Sequence, residues 1–95
     1  MAQAAQTEEV DLRTFLVDLT TDIVEELVDD RTNVKVTYKT TESNHLLITV
    51  HAKNGEIGKI IGKNGKTIQA IRHLLCAMSY KEKIRTTIDT TTNGI

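Results

Sequence analysis

The apolar residues of the chain recur with two different spacings, and each spacing predicts one kind of secondary structure. Between Val10 and Val28 they lie three or four positions apart, which is typical of one face of an amphipathic helix. From residue 34 to residue 52 apolar and polar residues alternate in two segments separated by a polar turn, which predicts an antiparallel hairpin. Helical spacing returns over residues 56–61 and 66–79, and the β-branched segment Ile84–Thr90 predicts a last strand.

This order of elements predicts an α+β domain with the topology α-β-β-α-α-β, in which helices cover one face of a three-stranded sheet. The chain has 95 residues, which is enough for one small domain. We expect that domain to span residues 10–91. A disordered tail is expected over residues 1–9 and a short C-terminal tail over residues 92–95.

The helix predicted over residues 66–79 has an apolar stripe and a polar face. The single cysteine, Cys76, stands within this apolar run and has no partner for an intrachain disulfide, so we expect a buried thiol rather than a nucleophile. His45, His51 and His73 have no spacing typical of a metal site, so no metal is expected. The apolar stripe of this helix is predicted to consist of Ile68, Ile71, Leu74, Leu75 and Met78.

A glycine turn, residues 62–65 with the sequence Gly-Lys-Asn-Gly, interrupts the apolar pattern between two predicted helices. The surrounding segment, residues 58–71, holds three of the five glycines and three of the twelve Lys and Arg residues. Glycines let a backbone approach a ligand closely, and the amides that open a helix carry a partial positive charge. The turn therefore favours an anion.

Two interpretations of the glycine turn follow from the residues alone. Gly65-Lys66-Thr67 matches the end of the phosphate-binding loop G-x-x-x-x-G-K-[ST], but Ile60 occupies the position of its first glycine and a helix precedes it instead of a strand. Alternatively, the glycines only permit the bend of a helix–turn–helix corner. No nucleophile-and-base grouping accompanies the turn, so an enzyme is not expected.

The segment from Ile60 to Ile68, I-I-G-K-N-G-K-T-I, resembles the signature of the KH domain: an apolar pair, I-G-x-x-G and an apolar residue three places on. The resemblance covers roughly residues 10–90, and the predicted order of elements is similar to that of the type II, or prokaryotic, KH fold. It is nearest to the small bacterial RNA-binding proteins of the KhpA type, whose Ala-Ile/Leu-Arg step after the loop is matched by residues 70–72.

In KH domains the G-x-x-G loop clamps the sugar–phosphate backbone of about four unpaired nucleotides. The resemblance therefore implies single-stranded RNA as the partner, no cofactor, and a post-transcriptional regulator or RNA chaperone. The resemblance to KhpA-type proteins also implies that the chain forms homodimers and associates with a larger KH-containing protein. A protein-interaction adaptor is therefore the alternative function. The residues assigned to RNA are Gly62, Lys63, Asn64 and Gly65 as the clamp, Lys59 and Lys66 beside it, Ile61 and Ile68 as the groove floor, and Arg72.

Charge is distributed unevenly along the chain. Residues 1–30 carry nine acidic residues and one arginine, whereas residues 31–95 carry eleven Lys and Arg against four acidic residues. This asymmetry is typical of proteins that bind nucleic acid or membranes, although an acidic helix face that favours solubility produces the same pattern. The N-terminus lacks a secretory signal and no apolar run approaches the ~18 residues of a membrane span. We therefore expect a cytoplasmic protein without membrane contact.

Aromatic residues are few, and none of them lies near the glycine turn in the sequence. The chain contains one Phe and two Tyr, at positions 15, 38 and 80. Stacking of nucleobases on aromatic rings is therefore not expected at the turn. The resemblance to KH domains implies instead a groove with aliphatic walls that accepts the bases.

Overall fold

The computed structural model describes residues 11–94, in which three helices and three strands follow one another in the predicted order. The α+β class and the α-β-β-α-α-β topology are therefore confirmed. The tail predicted over residues 1–9, together with Val10 and Ile95, lies outside the described residues. The elements are α1 (Leu12–Leu27), β1 (Val34–Thr40), β2 (His45–Ala52), α2 (Ile57–Ile61), α3 (Lys66–Tyr80) and β3 (Arg85–Thr91).

The sheet has the strand order β1-β2-β3 and contains both kinds of pairing. β1 pairs with β2 in antiparallel fashion, with Val36 opposite Val50, which confirms the predicted hairpin. β2 pairs with β3 in parallel, with Ile48 opposite Ile88. Parallel neighbours need a crossover connection, which α2, the glycine turn and α3 provide here. The glycine turn therefore lies within the crossover between the two parallel strands.

The core forms where α1 and α3 cover the inner face of the sheet. The alternating pattern of β2 places every second side chain on this face, and the one-sided burial of the strand follows from that alternation. Leu16 from α1 and Leu75 from α3 are fully buried against it, and Ile60 from α2 is equally inaccessible. The inward residues of β2 are Leu46, Ile48, Val50 and Ala52.

Two polar side chains lie completely inside this core, and both are hydrogen-bonded. The Thr20 hydroxyl donates to the Leu16 carbonyl at 2.8 Å, and the Ser79 hydroxyl donates to the Leu75 carbonyl at 2.9 Å. The Thr86 hydroxyl in turn donates to Ser79 Oγ at 3.1 Å. Buried hydroxyls would destabilise the fold without such partners. The last contact ties the C-terminal end of α3 to β3.

Two predictions for α3 are wrong. Leu74 is 50 % exposed although its neighbour Leu75 is fully buried. Cys76 is also exposed, and its Sγ lies 3.6 Å from the Thr86 carbonyl oxygen at the rim of the helix–strand contact. Successive helix residues point about 100° apart, so a continuous apolar run is wider than the stripe that one sheet can cover. Ile68 and Ile71, by contrast, are buried as predicted.

Candidate nucleic-acid interface

The glycine turn begins at Gly62, whose backbone conformation strongly favours glycine. Its φ is 78° and its ψ is 170°, and its amide, at the C-cap of α2, donates to the carbonyl of Gly58 in the first turn of that helix at 2.8 Å. A Cβ at this position would lie 2.2 Å from Thr67 Oγ1 and 2.9 Å from the Thr67 backbone nitrogen. The close approach of Thr67 therefore requires glycine here, whether or not a ligand binds.

The next three residues, Lys63–Gly65, form a single turn of three-ten helix. Asn64 (φ 57°, ψ 25°) and Gly65 (φ 74°, ψ 13°) both have left-handed backbones, which glycine adopts freely and asparagine adopts more readily than most residues. The Gly65 amide donates to the Gly62 carbonyl at 3.0 Å, and the Lys66 amide donates to the Lys63 carbonyl. The amides of Lys63 and Asn64 open the turn, and no carbonyl inside it accepts from them.

Three lysines flank or occupy the glycine turn, and their surroundings differ. The side chains of Lys63 and Lys66 are exposed. The Lys59 ammonium, on α2, donates to Asp29 Oδ2 at 2.8 Å and to Glu56 Oε1 at 2.7 Å. The hydrogen bond to Asp29, followed by that to Glu56, raises the pKa of Lys59 above its ordinary value. The sequence analysis assigned Lys59 to phosphate, but in the structure its ammonium already has two carboxylate partners.

The remaining predicted site residues line the junction of α2, α3 and β3. Ile61 is half-buried against the core, and Ile68 is 7 % exposed. Arg72 follows Ile68 by one helical turn, and its guanidinium donates to the Ile88 carbonyl on β3 at 3.3 Å. The structure therefore places both isoleucines beside the glycine turn and fastens Arg72 to the edge strand. Contact of these three side chains with RNA stays a prediction.

The described part of the chain contains no group of three His, Cys, Asp or Glu side chains placed to hold a metal ion. His45 shares a hydrogen bond with Thr87 at 2.7 Å and His51 shares one with Thr37 at 2.9 Å, so both rings have partners on the sheet.

Among the helices of residues 11–94, none is long and apolar enough to cross a membrane.

Comparison with known proteins shows which family this fold and turn represent. The sequence profile of the family described as KhpA/KhpB, KH domain, matches residues 17–89, which include β1, β2, α2, the glycine turn, α3 and the first five residues of β3. The chain belongs to this family. The resemblance inferred from the I-G-x-x-G segment is therefore confirmed.

Several curated bacterial relatives of this KH domain carry the name RNA-binding protein KhpA. The Chlamydia trachomatis protein is 34 % identical over 67 residues, which cover 70 % of this chain and 85 % of the relative. The Halalkalibacterium halodurans protein is 36 % identical over 64 residues, covering 66 % and 82 %. The Aquifex aeolicus protein is 39 % identical over 64 residues, covering 63 % and 80 %.

Solved structures of Era share the fold of this KH domain. An Aquifex aeolicus Era variant bound to GDP·AlF4− matches with a TM-score of 0.51 at 15 % identity. Era in complex with MgGDPNP and nucleotides 1506–1542 of 16S ribosomal RNA matches with a TM-score of 0.50 at 17 % identity. In both cases the match covers 90 % of this chain but only 33 % of the Era chain, so the chain spans about a third of Era. At this identity the likeness shows the fold alone.

A cavity that the sequence analysis missed lies at the end of α3 opposite the glycine turn of this KH domain. Its volume is about 620 Å³, and Tyr80, which is 82 % exposed, stands at its edge. The only signal in the sequence was the run Tyr80-Lys81-Glu82-Lys83, an aromatic ring beside two cations. The cavity is lined by Cys76, Ser79, Tyr80, Lys81, Lys83, Ile84, Arg85 and Thr86.

Proposed function

We propose that this KH domain binds single-stranded RNA and holds its sugar–phosphate backbone on the glycine turn. The observation that carries the proposal is the geometry of residues 62–65 in a chain whose curated KhpA relatives are named RNA-binding proteins. Gly62 and Gly65 bring the backbone to the surface without side chains in the way. The amides of Lys63 and Asn64 supply two donors, and protein–RNA contacts to phosphate use such donors.

Electrostatics favours phosphate at the same place. Lys63 within the turn and Lys66 just after it are exposed cations, and neither is paired with a carboxylate of residues 11–94, unlike Lys59. Their attraction to phosphate is independent of base sequence and weakens as salt rises. Ile61, which is half-buried, offers apolar surface beside the turn for the bases, and Ile68, which is 7 % exposed, lies beneath it as the floor of the groove. We propose no catalytic step, cofactor or metal for this function, and we propose a cytoplasmic role as a post-transcriptional regulator or RNA chaperone.

The double change Lys63→Asp plus Asn64→Asp tests the clamp. Aspartate tolerates the left-handed backbone of residue 64, so the glycine turn should fold while two negative charges repel phosphate. We expect titration of a fluorescently labelled uridine octamer to show a large loss of affinity. For the wild type, log K should fall with log salt by about 0.7 per phosphate contacted.

The chain contains a matched control for this double change. Lys53-Asn54-Gly55 repeats the Lys-Asn-Gly sequence of the glycine turn in another exposed turn, between β2 and α2. Lys53→Asp plus Asn54→Asp makes the same change of charge and should leave the affinity near that of the wild type. Equal affinities of the two double variants for the octamer would refute the clamp.

A second candidate function is an adaptor that acts through homodimers or through a larger KH-containing partner. The observation that favours it is the exposed face of α3, where Ala70, Leu74 and Ala77 follow one another at four- and three-residue steps. Leu74 is a large apolar side chain that is half in solvent. Light scattering of the wild type and of Leu74→Asp tests the homodimer, since a dimer through this face should become monomeric. RNA affinity that survives in the monomer would favour the clamp as the primary function.

A further inference from the structure

The ion pairs of Lys59 connect the helix that precedes the glycine turn to the segment that follows α1. Glu56, at the N-cap of α2, accepts from Lys59 through Oε1 at 2.7 Å and from Asn33 Nδ2 through Oε2 at 3.2 Å. Lys59 also donates to Asp29, thirty residues earlier in the chain. We call these four side chains the Lys59 network. It joins two segments that only the fold brings together.

Glu56 is the buried member of the Lys59 network. Its side chain is 9 % exposed, compared with 41 % for Lys59 and 85 % for Asp29. Burial disfavours the charged form of a carboxylate, so such a group needs donors. The hydrogen bond from Lys59, and then that from Asn33, keep the pKa of Glu56 below its usual value in spite of burial. The ammonium of Lys59 is therefore bound to a carboxylate that is almost entirely shielded from solvent.

The orientation of α2 depends on such contacts because the helix has only five residues. Isolated helices shorter than about 12 residues are marginal in water, so tertiary contacts must hold this one in place. Ile60 anchors its inner side in the core, and the Lys59 network fastens its first turn. The amide of Gly62 caps the same helix through Gly58. Because Gly62 is also the first residue of the glycine turn, a tilt of α2 would move the start of that turn.

We propose that Lys59 is a positioning residue, which Glu56 and Asp29 hold so that α2 presents the glycine turn in its binding conformation. Lys59 then makes no phosphate contact itself. This inference rests on the proposed function for its RNA readout. If Lys59 bound phosphate, the phosphate would compete with Glu56 and Asp29 for the lysine ammonium. If Lys59 is a positioning residue, its role depends on those two carboxylates. The two roles therefore predict opposite effects when the charge of Glu56 is removed.

Glu56→Gln is the first test, because it keeps the size of the side chain and removes its charge. A phosphate-binding Lys59 would be freed by this change, and the uridine octamer would bind more tightly. Positioning predicts weaker binding: if a third to a tenth of the molecules keep a competent turn, the apparent Kd rises about three- to tenfold. Glu42→Gln, at an exposed site in the hairpin turn, is the matched control and should leave Kd unchanged. Tighter or unchanged binding by Glu56→Gln overturns the proposal.

The salt dependence of binding separates the two roles at Lys59 itself. Loss of one phosphate contact to a single strand lowers the slope of log K against log salt by about 0.7. We expect this reduction for Lys63→Gln. Lys59→Gln should keep the wild-type slope and weaken binding as Glu56→Gln does, and Lys59→Arg should restore binding. A slope lowered by about 0.7 in Lys59→Gln would show that Lys59 touches phosphate.

Hydrogen exchange tests the positioning role without RNA. The amides of Gly65 and Lys66, which are bonded within the glycine turn, should exchange faster in Glu56→Gln and in Lys59→Gln. They should keep the wild-type rate in Lys63→Gln. Unchanged exchange in both network variants overturns the positioning role. A wild type that fails to bind the octamer refutes the proposed function alone, because the exchange result still decides the role of Lys59.

Discussion

Replacing Gly62 by alanine should destabilise the fold far more than the same change at any other glycine of the segment from Gly58 to Gly65. At Gly62 the new Cβ would lie 2.2 Å from Thr67 Oγ1, 2.6 Å from its Cβ and 2.9 Å from its backbone nitrogen. The hydroxyl can rotate away, but the Cβ and the backbone of the first turn of α3 cannot. The turn would have to open to admit the methyl group.

The magnitude has two parts. A residue other than glycine with φ near 78° and ψ near 170° stores strain of about 1–3 kcal/mol. Forcing an extra carbon into a packed site typically costs a further 1–3 kcal/mol or so. The sum, about 2–6 kcal/mol, is a large part of the roughly 5–15 kcal/mol that stabilises a small domain. Since about 1 kcal/mol shifts the midpoint of a domain of this size by some 4–8 °C, Tm should fall by at least about 8 °C.

Thermal unfolding followed by circular dichroism measures this effect against two matched variants. Gly65→Ala meets open space but has a left-handed backbone, so it should cost about 1–2 kcal/mol. Gly58→Ala lies within α2 with open space around it, and should stabilise by roughly 0.5–1 kcal/mol. Gly62→Ala combined with Thr67→Ala should stay destabilised, because the Cβ and nitrogen contacts remain. If Gly62→Ala melts at the wild-type temperature, the packing of Thr67 on Gly62 is refuted.

Two further predictions concern the core and the Lys59 network. Leu75→Ala should lower the free energy of unfolding in urea by about 2–5 kcal/mol, because Leu75 is fully buried. Leu74→Ala, on the exposed side of α3, should change it by no more than about 0.5 kcal/mol. Equal losses of stability would mean that the buried face of α3 is wrongly assigned. The pKa of Glu56 is lowered in the fold, mainly by Lys59, so its stabilising contribution is complete above its unfolded-state pKa and is lost as the pH falls through the folded-state value. Glu56→Gln should therefore unfold with a weaker dependence on acid pH than the wild type, and identical pH profiles in urea titrations would count against this assignment.

The fold was largely predictable because its signals are local. Alternation in β2 and three- and four-residue spacing in α1 and α3 each depend on neighbours a few positions away. The I-G-x-x-G segment likewise identified the family before any geometry was known. The exposure of Leu74 and Cys76 could not be predicted in this way, because it depends on how α3 is rotated about its axis against the sheet.

For the candidate site, too, local sequence predicted some properties and only the tertiary structure decided the others. Lys59, Lys63 and Lys66 look alike in the sequence, and all three were assigned to phosphate. Lys59 pairs with Asp29, which is thirty residues away in the chain, and with Glu56, which is buried at the N-cap of α2. Only the assembled fold therefore distinguishes Lys59 from the other two lysines. The cavity beside Tyr80 escaped notice for a related reason, since its lining joins a helix end, a loop and a strand.

The sequence by itself determined the order of the elements, the family and the position of the glycine turn. These properties follow from spacing and from the backbone freedom of glycine, which act over a few residues. Only the tertiary structure decided that Gly62 is required by Thr67, that Gly65 is required only by its backbone, and that Lys59 is already paired. Those outcomes depend on atoms brought within 3 Å or so by packing, and packing is a property of the whole domain rather than of any one segment.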